Sequence, residues 1–112
     1  MSDFKEILNA LVTFRDERNW EQFHNSKDLA LAISIEAAEL NELFLWKTRE
    51  ESEQVDRQKI QEELADILAF SFLMAHKYEF DIKEMVLQKI QENSKKYPVE
   101  KARNTAKKYN QL

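Results

Sequence analysis

Residues 26–47 read SKDLALAISIEAAELNELFLWK, and the period of their apolar residues decides the fold. Leu29, Ile33, Leu40, Leu43 and Phe44 recur at three- and four-residue intervals, the spacing of one helical face. Ser26 precedes the run as an N-cap, Asp28 stands in the first turn, and the spacing predicts a helix to about Lys47. One position breaks the stripe. At 100° per residue Glu36 falls within about 20° of its centre, where an aliphatic side chain belongs, and Glu39 falls at its edge.

A second run has the same peculiarity. LADILAFSFLMA, residues 64–75, is apolar on every side, and Asp66 is its only charge. A helix apolar all round is buried all round. Glu63, Asp66, Phe70 and Leu73 fall on one side of it, so each helix carries a carboxylate pair one turn apart. No basic residue lies between Lys27 and Lys47, or between Lys59 and Lys77, so neither helix neutralises its own acids. Buried carboxylates are costly as bare anions; they take a proton, pair with a cationic side chain or bind a metal. An all-oxygen donor set of Glu and Asp suits Mg²⁺, with Mn²⁺ as the alternative, and Mg²⁺ commonly bridges to phosphate oxygens. A di-iron bundle would need two Glu-x-x-His motifs. Glu21-x-x-His24 is one, outside the long helices, and His76 has Leu73 three residues before it.

The rest of the chain fits a helical frame. The 112 residues suffice for one domain, and they include no glycine and one proline, Pro98, which argues for helices joined by short polar turns rather than strands. Charged residues at 34% and hydrophobic residues at 43% mark a globular chain, not a disordered one. With no cysteine, disulfides and thiolate zinc sites are excluded and a cytoplasmic location is expected. No run is long enough to span a membrane, and MSDFKEIL lacks the basic-then-apolar pattern expected of a signal peptide. Four helices are expected: Asp3 to Arg18, opened by an Asp3–Glu6 capping pair; Ser26 to Lys47; Asp56 to Tyr78; and Asp81, capped with Glu84, to just before Pro98. NWEQFHNSK and TREESEQVD read as connectors. The third helix has more apolar surface than three partners can cover, so a second copy of the chain is expected against it.

Charge is unevenly distributed. Residues 95–112 carry six basic residues against Glu100 alone, a +5 tail on a body of −9. Such a tail suits a polyanion, including a nucleoside triphosphate. Two other classes of function remain open on the residues alone: a nucleic-acid-binding module using the tail, disfavoured by the acidic body, and a non-catalytic helical oligomer, which leaves the acids unexplained.

EAAE, whose first glutamate precedes Glu63 of EELADIL by 27 residues, resembles the ExxE…ExxD signature of the MazG-like all-α nucleoside triphosphate pyrophosphohydrolases. FRDERNWEQFHNSKDLAL, EAAELNELFLWK, QKIQENSKKYP and KARNTAKKYNQL extend the resemblance over nearly the whole chain, toward the branch that acts on dCTP. The resemblance implies a helical bundle that hydrolyses a (d)NTP to the monophosphate and pyrophosphate with Mg²⁺. It implies metal binding by Glu36, Glu39, Glu63 and Asp66, with the same four as the catalytic acids. It places Trp20, His24, Trp46 and Phe70 around the base and sugar, and Lys89, Asn93 and Tyr97, with Lys96 beside them, near the nucleotide. It implies a homo-oligomer, tetramer favoured over dimer, with the site near a subunit interface. Two departures stand out: Leu11 occupies a position where the dCTP branch has histidine, and the turn after Trp46 is shorter and lacks glycine.

Overall fold

Every long helix of this protein begins on a polar side chain that accepts a hydrogen bond from the first turn. The computed structural model describes residues 2–112. Ser2 caps α1 (Asp3–Glu17), accepting from the Lys5 amide, so Asp3 is the first helical residue rather than the cap. Asn25 caps α2 (Ser26–Glu42) through the Asp28 amide, displacing the expected Ser26 by one position. Asp56 caps α4 (Arg57–Lys77), and Asp81 caps α5 (Ile82–Lys96) by accepting from the Glu84 amide, as its spacing predicts. No strand is present among the described residues, and the fold is all-α.

Two expectations are corrected. The second helix stops at Glu42, not Lys47. The amides of Leu43, Phe44 and Leu45 bond three residues back, to Leu40, Asn41 and Glu42, so the coil tightens, and Trp46 then turns the chain with φ of 62°. TREESEQVD is not all turn. Thr48 and Glu51 cap each other reciprocally and start a four-residue helix, α3 (Arg49–Ser52). A 3₁₀ turn, Glu21–Phe23, lies within the first connector, and beyond Pro98 come α6 (Val99–Ala102) and a second 3₁₀ turn, Tyr109–Gln111.

The absence of glycine has a visible consequence. Among the described residues four enter the left-handed region: Asn19, Trp46, Glu79 and Asn104. Asparagine does so readily; Trp46 and Glu79 carry the full β-carbon penalty, about 1–2 kcal/mol each.

The chain divides into two compact units, residues 1–80 and 81–112. In the first, α2 and α4 pack along their length as an antiparallel hairpin, and α1 packs against α4. Leu29, only 2% exposed, Phe72, Leu73 and Ala75 form its core, and Phe4 of α1 sets its ring edge-on to Phe72 at 6.0 Å. Ser26 and Tyr78 share a hydrogen bond of 2.6 Å, fastening the start of α2 to the end of α4. The expected all-round burial of α4 is not met within one chain: Leu64 and Leu68 are 47% and 51% exposed. In the second unit, α5 ends in Tyr97, whose ring meets Tyr109 edge-on while the Lys96 ammonium lies 5.1 Å from the Tyr109 centroid. No helix among the described residues is long and apolar enough to cross a membrane.

A carboxylate cluster between two packed helices

Helical spacing on α2 and α4 brings the predicted acids together. Glu36, Glu39 and Glu63 each offer an oxygen within 4.8 Å of the others, and all three are half-buried. Leu29, Ile33 and Leu40 on the same helical face hold Glu36 in register. Asp66, one turn beyond Glu63, is exposed and stands at the rim of the group rather than inside it.

Electrostatics follow from the geometry. Burial raises the Glu36 pKa from 4.5 to about 7, and the Glu39 carboxyl beside it, then Asp66 and Glu63, add to the rise. Glu63 is pushed up for the same reasons, burial first and Glu39 next. Oε2 of Glu36 and Oε2 of Glu63 are shut off from solvent and make no hydrogen bond. Among the described residues no ion pair reaches any of the four acids. Unpaired, partly dehydrated oxygen donors converging within ligand distance fit a hard divalent cation, and this donor set matches Mg²⁺ or Mn²⁺ better than Zn²⁺.

The aromatic and basic candidates are distributed differently. Trp20 stacks edge-on with Phe14 at 5.8 Å, and Arg18 lies 3.7 Å over the Phe14 ring. His24 is half-buried, and its Nδ1 is enclosed without a partner. Burial and the Arg15 guanidinium lower the His24 pKa, so the ring is neutral at neutral pH. Phe70 is half-buried one turn past Asp66. Trp46 is 93% exposed. Lys89, Asn93, Lys96 and Tyr97 belong to the second unit: Lys89 pairs with Glu92 at 3.5 Å, and the Asn93 carbonyl accepts the Tyr97 amide at 2.8 Å.

One residue escaped the sequence reading. Arg15, in the charged run FRDER, looks like part of a solvated face, yet its side chain is only 11% exposed. Its sequence signal is slight: Arg15 follows Leu11 by one turn on the side that faces α4.

A half-buried glutamate trio with Asp66 at its rim, unpaired by any described cationic side chain on an all-α helical hairpin, defines the class of protein, and the comparisons say which. The chain belongs to the MazG-like family, whose profile matches residues 31–112. It is 41% identical to dCTP pyrophosphatase 1 of Bos taurus over 113 residues, covering 96% of this chain and 67% of that protein. Against dCTP pyrophosphatase 1 of Homo sapiens the identity is 39%, with 96% and 66% covered. The chain thus spans about two thirds of the length of these relatives. A pyrophosphatase from Archaeoglobus fulgidus has a similar fold, with a TM-score of 0.83 at 36% identity, covering 88% of this chain and 94% of that one.

Proposed function

We propose that the protein is a nucleoside triphosphate pyrophosphohydrolase that cleaves a (deoxy)nucleoside triphosphate, dCTP or a related dNTP, to the monophosphate and pyrophosphate, as part of clearing the nucleotide pool. The observation that carries this reading is the converging trio Glu36, Glu39 and Glu63, with two dehydrated, unpaired oxygens. Names of relatives similar over nearly the whole chain supply the substrate class.

Glu36, Glu39 and Glu63 would hold Mg²⁺, or Mn²⁺ in its place, with Asp66 at the rim. A bound divalent cation supplies charge neutralisation, polarisation of a phosphoryl oxygen and a more acidic water. The chain's own part is to keep those oxygens in place on two packed helices and to accept a proton. A carboxylate of the group with an oxygen not engaged by the cation is the base. Trp20, His24, Trp46 and Phe70 serve the base and sugar; stacking on an aromatic face contributes about 1–3 kcal/mol per base. Lys89, Asn93, Lys96 and Tyr97 are carried as nucleotide-binding residues on their chemistry and on the family resemblance. Leu31 and Ile35 on α2, with Leu64 and Leu68 on α4, are apolar and half exposed, which supports assembly into a homo-oligomer, tetramer before dimer. A cytoplasmic site of action goes with this reading.

The test is a phosphate-release assay coupled to inorganic pyrophosphatase across the eight common (d)NTPs, with and without Mg²⁺. Turnover of at least one, dependent on the cation and abolished in Glu36→Gln, is expected. No turnover of any nucleotide, or near-native activity of Glu36→Gln at saturating Mg²⁺, overturns the reading.

A further inference from the structure

The end of α1 fixes one side chain in place. Just past its last turn Asn19 takes the left-handed conformation, φ 54°, which asparagine enters readily. The Asn19 amide donates to the Asp16 carbonyl at 3.0 Å, and the Trp20 amide reaches back to the Arg15 carbonyl at 3.0 Å. This pair of reverse bonds is a Schellman motif, which commonly sets the second residue beyond the cap against the last turn of its helix. That residue is Trp20, and it meets Phe14: the two rings stand edge-on at 5.8 Å and 72°.

Arg18 completes the mount. Its guanidinium carbon lies 3.7 Å from the Phe14 ring centroid and 6.0 Å from that of Trp20, and Nη1 donates to the Phe14 carbonyl at 2.9 Å. Among the described residues Arg18 forms no ion pair, so its charge is directed at the two rings. On the other side, the Phe23 amide bonds the Trp20 carbonyl at 2.9 Å, and Gln22 Nε2 bonds the Asn19 carbonyl at 2.9 Å. All of these interactions lie within residues 14–23. Trp20 is therefore held by its own neighbourhood and not by enclosure in the core, and 43% of its surface stays open. A tryptophan that only packs gains by covering its faces. One that is held on several sides and left open has a face to offer. Trp46 is the contrast: it is 93% exposed and makes no ring contact among the described residues.

We propose that Phe14 and Arg18 are positioning residues, which set the Trp20 ring in its base-stacking orientation before the nucleotide arrives. A side chain that must be ordered on binding gives up part of its binding energy, and one already ordered keeps it. Phe14 and Arg18 thus raise affinity for the nucleotide without touching it, and the chemical step at the carboxylates does not depend on them. This inference rests on the reading of the protein as a nucleotide enzyme.

The experiment separates the two. In a Trp46→Phe background Trp20 is the only tryptophan. Time-resolved fluorescence anisotropy without nucleotide should show its ring moving with the whole molecule, and a faster component should appear in Phe14→Leu and in Arg18→Gln. Arg18 is exposed, so the second variant keeps the fold if the first does not. With the native Trp46, each variant should raise KM for dCTP about three- to tenfold at unchanged kcat, and Phe14→Tyr, which keeps the ring, should hold KM at the wild-type value. Each should weaken dCMP binding in equilibrium dialysis by a similar factor. Combined with Trp20→Ala, neither should weaken it further, because the residue through which they act is gone. Unchanged anisotropy in both variants overturns the inference, as does a loss of dCMP affinity that persists in full in the Trp20→Ala background. Turnover of dNTPs with Mg²⁺ by the wild type reports on the enzyme reading alone. Loss of dCMP affinity that depends on Trp20, without turnover, supports the inference and sinks that reading; turnover with no such dependence does the reverse.

Discussion

Glu36→Gln should stabilise the metal-free protein at pH 8 while destroying its activity, and the size of the gain follows from the cluster. In the folded chain the Glu36 pKa rises from 4.5 to about 7, driven by burial and then by Glu39. The unfolded chain therefore releases this proton at lower pH than the folded one. Between pH 4.5 and 7 the folded state binds more protons, so stability falls as pH rises, and above pH 7 the full penalty is present. At 1.36 kcal/mol per unit the ceiling is roughly 3 kcal/mol. Glu36 is half-buried rather than enclosed, and solvent screening reduces the expected penalty to about 1 kcal/mol. Glutamine removes it. Urea unfolding in EDTA at fixed protomer concentration should give a variant about 1 kcal/mol more stable than wild type at pH 8 and equal to it at pH 4. The reasoning is refuted if the variant is less stable at pH 8, because Glu36 would then be contributing a favourable interaction that the cluster does not contain.

Mg²⁺ at a hundred times its dissociation constant should stabilise the wild type by about 2.7 kcal/mol in the same unfolding assay, and Glu36→Gln should lose most of that increment. The cation competes with a proton on Glu36, so its apparent affinity should climb from pH 6 to pH 8 in calorimetric titrations; a flat profile would remove Glu36 from the ligand set. Leu68→Glu, on the exposed side of α4, should shift sedimentation equilibrium toward monomer with little loss of helicity, whereas Phe72→Glu, buried against Phe4, should unfold the protomer. Trp46→Gly should raise stability by about 1 kcal/mol, through relief of the left-handed strain, while increasing KM for the nucleotide. A stability gain with unchanged KM would reduce Trp46 to a loop residue.

Much of the fold is written in local patterns. The 3.6-residue period over 29–44 and the apolar run 64–75 specify α2 and α4, and Asp81 with Glu84 marks the start of α5 to the residue. The acid cluster is legible for the same reason. A carboxylate at the centre of an apolar stripe contradicts its surroundings, and two such contradictions on adjacent helices point at each other. Other features resist such reading. The end of α2 depends on a change from i−4 to i−3 bonding after Glu42, which no cap or proline announces. The short helix α3 was announced by Thr48 and Glu51, but a polar composition masks a four-residue helix. Arg15 is hidden for a deeper reason: its burial is created by the loop that folds back over it, where the Trp20 amide bonds the Arg15 carbonyl at 3.0 Å. No local pattern encodes that return.

The two costs this chain carries lie in different places and have different physical origins. The acid cluster is an electrostatic cost, set by how closely Glu36, Glu39 and Glu63 approach on rigid helices. Trp46 and Glu79 are backbone costs, each at a turn that follows one of those same helices. A fold selected for stability alone would relieve both with single substitutions, an amide in the cluster and glycine in the turns. The strain is thus concentrated at the middle of the α2–α4 hairpin and at the turns after its two helices, while the buried core of Leu29, Phe72, Leu73 and Ala75 is free of it. That division is what a site needs. The acids of the cluster are held by packing they do not themselves supply, so a substitution among them changes chemistry first and folding second.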